Sequence, residues 1–168
     1  LLSGINPGLY SGATGHHFAR PGNRFWKTLQ AAGLTARVLQ PWQEGELLDA
    51  GIGITNLVQR TTATAAELAP DELRDGAQRL RALVERYRPR VVACLGVTAY
   101  RIAFDRPQAV VGRQPERIAG SRLWVLPNPS GLNAHYQLPA LAEVFGALKA
   151  DVAETQASAE VDRPTRRP

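Results

Sequence analysis

Asn6 stands between the apolar run 1–5 and Pro7-Gly8, inside a segment that reads SGINPGLYSGATGHHFARPGNRFW over residues 3–26. An asparagine side chain donates and accepts hydrogen bonds but takes no proton as a carboxylate does. At a strand end, with the following proline restricting its backbone, Asn6 can orient a water and is not a general base. Gly8, Gly12 and Gly15 let backbone approach a ligand closely and leave amides to face it. His16 and His17 are adjacent and the third histidine is His135, so the ligand count argues against a zinc site. Phe18 is either a flat stacking surface for a base or a core aromatic, and the residue type alone leaves both open. Asn23-Arg24-Phe25-Trp26 reads as a helix start, with Asn23 capping and the aromatics packing.

A second loop of similar composition, Asn128-Pro129-Ser130-Gly131-Leu132-Asn133, follows the apolar run 123–126. The runs 1–5, 91–95 and 123–126 are bounded by glycine or proline and read as buried parallel strands, with 52–57 a weaker fourth. Helical patterns cover 25–32, 71–87, 98–104 and 138–148. The second is the clearest, because Leu73, Ala77, Leu80, Val84 and Tyr87 share one face and Pro70, Asp71 and Glu72 mark its start. Strands alternating with helices predict an α/β fold, a three-layer α/β/α sandwich around a central mostly parallel sheet. Ligands bind such folds at the carboxyl ends of the strands, so both loops are expected to open on one crevice. Beyond residue 150 the sequence turns to Ala, Glu, Thr, Gln and Ser without an apolar face. A single domain over 1–150 and a disordered tail over 151–168 are therefore expected.

The whole chain has 168 residues, 44% hydrophobic and 21% charged, which suits one domain with a sizeable core. A net charge of +5 favours a polyanionic partner. The single cysteine, Cys94, lies in an apolar run and excludes an internal disulfide framework or a cysteine-held cluster, as suits a reducing cytoplasm. No apolar run approaches the roughly 20 residues of a membrane span, and no charged-then-apolar leader precedes the first strand. No membrane partner is expected, and the start at Leu1-Leu2 reads as cut short upstream. Neither GxxxxGK[ST] nor GxGxxG occurs, so a phosphate-cradling nucleotide domain is disfavoured.

Taken in order, GINPG, GHHFARPGNRFW, GITNLVQRTT and LPNPSGLN resemble the mismatch-specific uracil/thymine DNA glycosylase family, part of the uracil-DNA glycosylase superfamily. The resemblance covers residues 3–149. It implies a monofunctional enzyme that flips uracil from a G·U mismatch in double-stranded DNA and hydrolyses its N-glycosidic bond. The abasic site it leaves would start base excision repair, in a bacterial cytoplasm, without cofactor or metal and as a monomer. By the resemblance, Asn6 places the attacking water at the sugar C1′ and Phe18 stacks on the flipped base. Ile5, Gly8, His17 and neighbouring backbone amides line the base pocket. Ser11 sits near the uracil C5 edge, where a small residue leaves thymine or a damaged pyrimidine open as substrates.

Ser130, Gly131, Leu132 and Asn133 match the family's wedge, in which an apolar side chain fills the hole left by the flipped nucleotide and backbone meets the widowed guanine. Asn128, a pocket support, lies where faster relatives carry a histidine, and those relatives have an aspartate in place of Asn6. Slow turnover, with selection by ease of flipping, follows. Thr55 and Asn56 are expected in the polar pocket wall, and Arg60, Thr61 and Thr62 at phosphates. Asp49 would be an auxiliary base if it faced the crevice, and otherwise an ordinary surface carboxylate. One departure stands out: family members often carry an arginine shortly after the wedge, whereas Ala134 and His135 follow Asn133 here. Guanine selection is thereby left open, and with it activity on A·U pairs and single strands.

Overall fold

The computed structural model describes residues 1–161, with side-chain surroundings through residue 154. Residues 162–168, the end of the expected tail, lie outside the described residues. Five strands, β1 (Leu2–Gly4), β2 (Ile54–Asn56), β3 (Val91–Leu95), β4 (Gly112–Ile118) and β5 (Ser121–Leu126), form one sheet in the order β2-β1-β3-β5-β4. All neighbours are parallel except β4, which pairs antiparallel with β5.

Alternation within the strands builds the layers. Val92, Cys94, Leu123 and Val125 join Leu73, Ala77, Leu80 and Val84 of α3 (Pro70–Tyr87) and Tyr100 of α4 (Val97–Ala103). Val91, Ala93, Leu95, Trp124 and Leu126 turn the other way. They meet Phe25 and Leu29 of α2 (Phe25–Ala31) and Leu141, Phe145 and Leu148 of α5 (Leu138–Val161). Successive strand residues face opposite sides, so a continuous apolar run feeds both cores at once. The three-layer α/β/α arrangement is therefore the observed one. The start of α3 follows its sequence signals: Pro70 is the first helical residue and the Glu72 carboxylate accepts the Ala69 N–H at 2.9 Å.

Three features depart from expectation. β4 is an additional edge strand whose register shifts between Arg113 and Arg117, around Pro115. A short helix, α1 (Leu9–Thr14), occupies the first loop and buries none of its residues. The tail expected from 151 is instead helix as far as Val161. Asp151 is buried, accepting hydrogen bonds from Arg122 at 2.7 Å and from the Trp124 indole N–H at 2.9 Å, which ties α5 to β5. No helix among the described residues is long and apolar enough to cross a membrane.

Candidate active site

The parallel strands deliver their carboxyl ends to one cavity of about 570 Å3. Gly4, Ile5 and Asn6 leave β1, Asn56 ends β2, Leu95 ends β3 and Asn128 follows β5, and all six line it. β1 and β3 are adjacent while their connections run outward in opposite directions, and a crevice opens at that switch. Among the described residues no aspartate or glutamate lines the cavity, and the titratable side chains that do are His16, His17 and Arg20. Among the described residues no group of three or more His, Cys, Asp or Glu is placed to hold a metal ion.

Asn6 is held in one orientation. Its Nδ2 donates to the Arg60 carbonyl at 2.9 Å and to Thr62 Oγ1 at 2.7 Å, with a longer contact to the Pro7 carbonyl at 3.3 Å. The carbonyls only accept, and the Thr62 hydroxyl spends its hydrogen on the Thr64 carbonyl at 2.8 Å. The amide nitrogen must therefore face them, which leaves Oδ1 as an acceptor with no partner among the described residues. Thr62 is itself buried, so its end of the clamp is shielded from water.

Phe18 adopts φ 53°, a left-handed conformation that costs a non-glycine residue about 1 kcal/mol or more. The strained backbone brings its ring flat against Phe25, with centroids 3.9 Å apart and planes at 19°. Gly4 makes room: a Cβ there would collide with Asn56 Oδ1 and lie 3.0 Å from Phe18 Cζ. Asn56 Nδ2 lies 3.5 Å from His17 Nδ1, and the Glu44 carboxylate accepts the His17 backbone N–H at 2.9 Å while lying 3.5 Å from His16 Nδ1. Burial pulls the His17 pKa below its ordinary value, more strongly than Glu44 raises it. Ser11 Oγ accepts the Ala19 N–H at 3.0 Å, which folds α1 onto the Phe18 turn.

The second loop is built by side chains bonding to its own backbone. Asn128 Oδ1 accepts the Ser130 N–H at 3.1 Å, Asn133 Nδ2 donates to the Asn128 carbonyl at 3.0 Å, and Asn133 Oδ1 accepts the His135 N–H at 3.1 Å. With its oxygen used in the turn, Asn128 has its amide nitrogen left over at the cavity wall. Leu132 borders the same cavity and is 71% exposed. A Cβ on Gly131 would lie 2.6 Å from the Gly22 carbonyl, so the two loops touch backbone to backbone.

A family model described as the Uracil DNA glycosylase superfamily matches residues 1–150. The chain belongs to this superfamily. Its members are DNA N-glycosylases, enzymes that hydrolyse N-glycosyl bonds, and the partner of such an enzyme is DNA.

Within this glycosylase the structure gathers Ile5, Asn6, Gly8, Ser11, His17, Phe18, Asn56, Asn128, Ser130 and Leu132 around one cavity. Thr61 and Thr62 also line it, and the other expected residues do not. Thr55 is not in the cavity wall, because strand alternation that turns Asn56 inward turns Thr55 away. Asp49 is exposed in the turn after the 3-10 helix Pro41–Leu47 and does not line the cavity. Arg60, expected at a phosphate, has its guanidinium on Glu72 through bonds of 2.7 and 2.9 Å, and that pairing holds the Glu72 carboxyl down at about 2. Thr62 is buried and holds Asn6 rather than facing a phosphate. Thr61 lines the cavity with its side chain against Gly12.

Glu44 and Arg24 were not expected near the site at all. Glu44 carries no sequence signal, since its partners are a backbone N–H and a histidine 28 residues away. Arg24 hides inside a helix-start pattern that is itself real: Asn23 Oδ1 accepts the Phe25 N–H at 2.9 Å.

Proposed function

We propose that this DNA glycosylase is specific for uracil mispaired with guanine, acts on duplex DNA by flipping the nucleotide, and is monofunctional. The observation that carries the reading is the Asn6 clamp in a cavity without a carboxylate, which supports a neutral residue that orients water and takes no proton. In this mechanism the flipped base lies against Phe18, which Phe25 backs. The C1′–N1 bond breaks with its electron pair leaving on the base, where the ring carbonyls delocalise the charge. The Asn128 amide nitrogen and pocket N–H groups donate to that developing anion. Asn6 Oδ1 accepts a hydrogen bond from a water, which adds to C1′. The proton lost by the water balances the one the released base gains.

With an asparagine rather than a carboxylate to place the water, turnover is slow and ease of flipping selects the substrate, which favours a wobble pair. Leu132 enters the vacated stack, as its exposure at the cavity rim supports. Ser11 is small and the cavity is wide, which supports acceptance of thymine or damaged pyrimidines as well.

The test is a set of end-labelled duplexes bearing G·U, A·U, G·T or an etheno-modified cytosine opposite G, beside single-stranded uracil, with abasic sites cleaved by alkali. Strong cleavage of G·U with little on A·U is expected. Equal cleavage of every uracil substrate would overturn mismatch specificity, and mismatch binding without any cleavage would overturn the catalytic reading.

A further inference from the structure

We propose that Arg24 is the positioning residue that holds the 128–136 loop ready to enter the duplex, an inference that rests on the wedge reading of Leu132. The guanidinium faces a ring of backbone carbonyls. One terminal nitrogen donates to Ser130 at 3.3 Å, Asn133 at 3.0 Å and Tyr136 at 3.0 Å, and the other to Gly131 at 3.3 Å. The Arg24 backbone N–H adds a bond to the Pro129 carbonyl at 2.9 Å. Five carbonyls between 129 and 136 thus converge on one residue of the first loop.

This loop has no strand or helix to hold it: Pro129 is buried and Tyr136 packs against the core near its two ends, and between them Gly131, Leu132, Ala134 and His135 are exposed. Its own turn bonds set local geometry but do not anchor it to the domain. Arg24 does, from the residue just before α2, whose Phe25 is fully buried and backs Phe18. One residue position therefore couples the stacking platform to the wedge. No carboxylate pairs with Arg24 among the described residues, so its charge is spent on carbonyl dipoles. A lysine keeps the charge but presents a single point donor in place of the planar fork. A loop already shaped avoids the ordering cost at the moment of insertion.

The experiment is single-turnover cleavage by wild type, Arg24→Lys, Arg24→Ala, Leu132→Ala and the Arg24→Lys/Leu132→Ala double variant. Each acts on uracil in a G·U duplex and on uracil in an unpaired three-base bubble, with thermal melting recorded alongside. Arg24→Lys is expected to slow duplex cleavage by about tenfold, the factor for loss of one or two such hydrogen bonds, and to change bubble cleavage by less than about twofold. In the double variant it should add little to Leu132→Ala, because both act through the same insertion. Equal losses on duplex and bubble, or full additivity with Leu132→Ala, would overturn the positioning role while leaving the glycosylase reading intact. Should Arg24→Ala fail to fold, Arg24→Lys with an unchanged melting temperature still decides the question. A wild type that cleaves neither substrate would overturn the functional reading and this inference with it.

Discussion

Replacing Thr62 with valine removes one hydroxyl from a buried, nearly isosteric site and tests whether the clamp on Asn6 matters for rate. The change deletes the 2.7 Å bond from Asn6 Nδ2 and the 2.8 Å bond to the Thr64 carbonyl. Each is worth about 1 kcal/mol net, and Thr62 is only 3% exposed, so water does not replace them. The Arg60 carbonyl at 2.9 Å still holds the amide, so Asn6 loosens without turning over. A loss of about 1 kcal/mol in the productive orientation is about fivefold in the chemical step, against roughly a hundredfold for removing the amide altogether. Thr62→Ser keeps the hydroxyl and gives up only a methyl group. It should lose about 0.8 kcal/mol of stability and little rate. The assay is single-turnover cleavage of a G·U duplex at saturating enzyme, beside equilibrium binding of a duplex with a non-hydrolysable uracil nucleotide. The reasoning fails if Thr62→Val cleaves at the wild-type rate, or if Thr62→Ser is as slow as Thr62→Val.

Leu132→Ala should weaken cleavage of paired uracil at least tenfold more than cleavage of unpaired uracil, by the energy a lost large apolar side chain represents; an equal effect on both would remove Leu132 from the wedge. The His17 imidazole should titrate below 6.5, because burial disfavours its charged form. The unfolded chain then binds the extra proton between the two values, so stability falls as pH drops through that window. An NMR titration placing His17 above 6.5 would contradict this. Asp151→Ala should cost about 2 kcal/mol in chemical denaturation, since it leaves Arg122 and the Trp124 indole N–H without their carboxylate, while base excision by the remaining folded enzyme stays unchanged. A melting curve like that of the wild type would show that α5 does not depend on this contact.

The strands that carry the site were legible because their residues are apolar on both faces. Val91-Val92-Ala93-Cys94-Leu95 is buried throughout, and Leu123 to Leu126 likewise. β4 was not legible: GRQPERI is polar, contains a proline and pairs on one side only, all properties of a managed sheet edge. α1 buries no residue, so it leaves no periodic trace. The end of α5 looked like a tail because, among the described residues beyond 150, the buried side chain is an aspartate, a residue type that signals exposure until a partner is known.

In the site, Asn6 and the two loops could be picked out by residue type and by their place at strand ends, whereas Phe18, Asn128 and Leu132 were marked only by the family resemblance. The roles of Thr62, Glu44 and Arg24 could not be picked out, since each is defined by groups of a distant segment: the Asn6 amide, the His17 backbone N–H and the carbonyls of the second loop. Arg60 and Thr62 look alike in sequence as phosphate ligands, and the fold spends one on Glu72 and the other on Asn6.

Comparison of wild type with Asn6→Ala on a G·U duplex tests the central claim most directly, by chromatographic detection of free uracil beside measurement of DNA binding. The wild type should release uracil and leave an abasic strand, and Asn6→Ala should bind the duplex equally well while releasing uracil about a hundredfold more slowly. Release of uracil by Asn6→Ala at the wild-type rate, with equal binding, would contradict the assignment of Asn6 as the residue that positions the water.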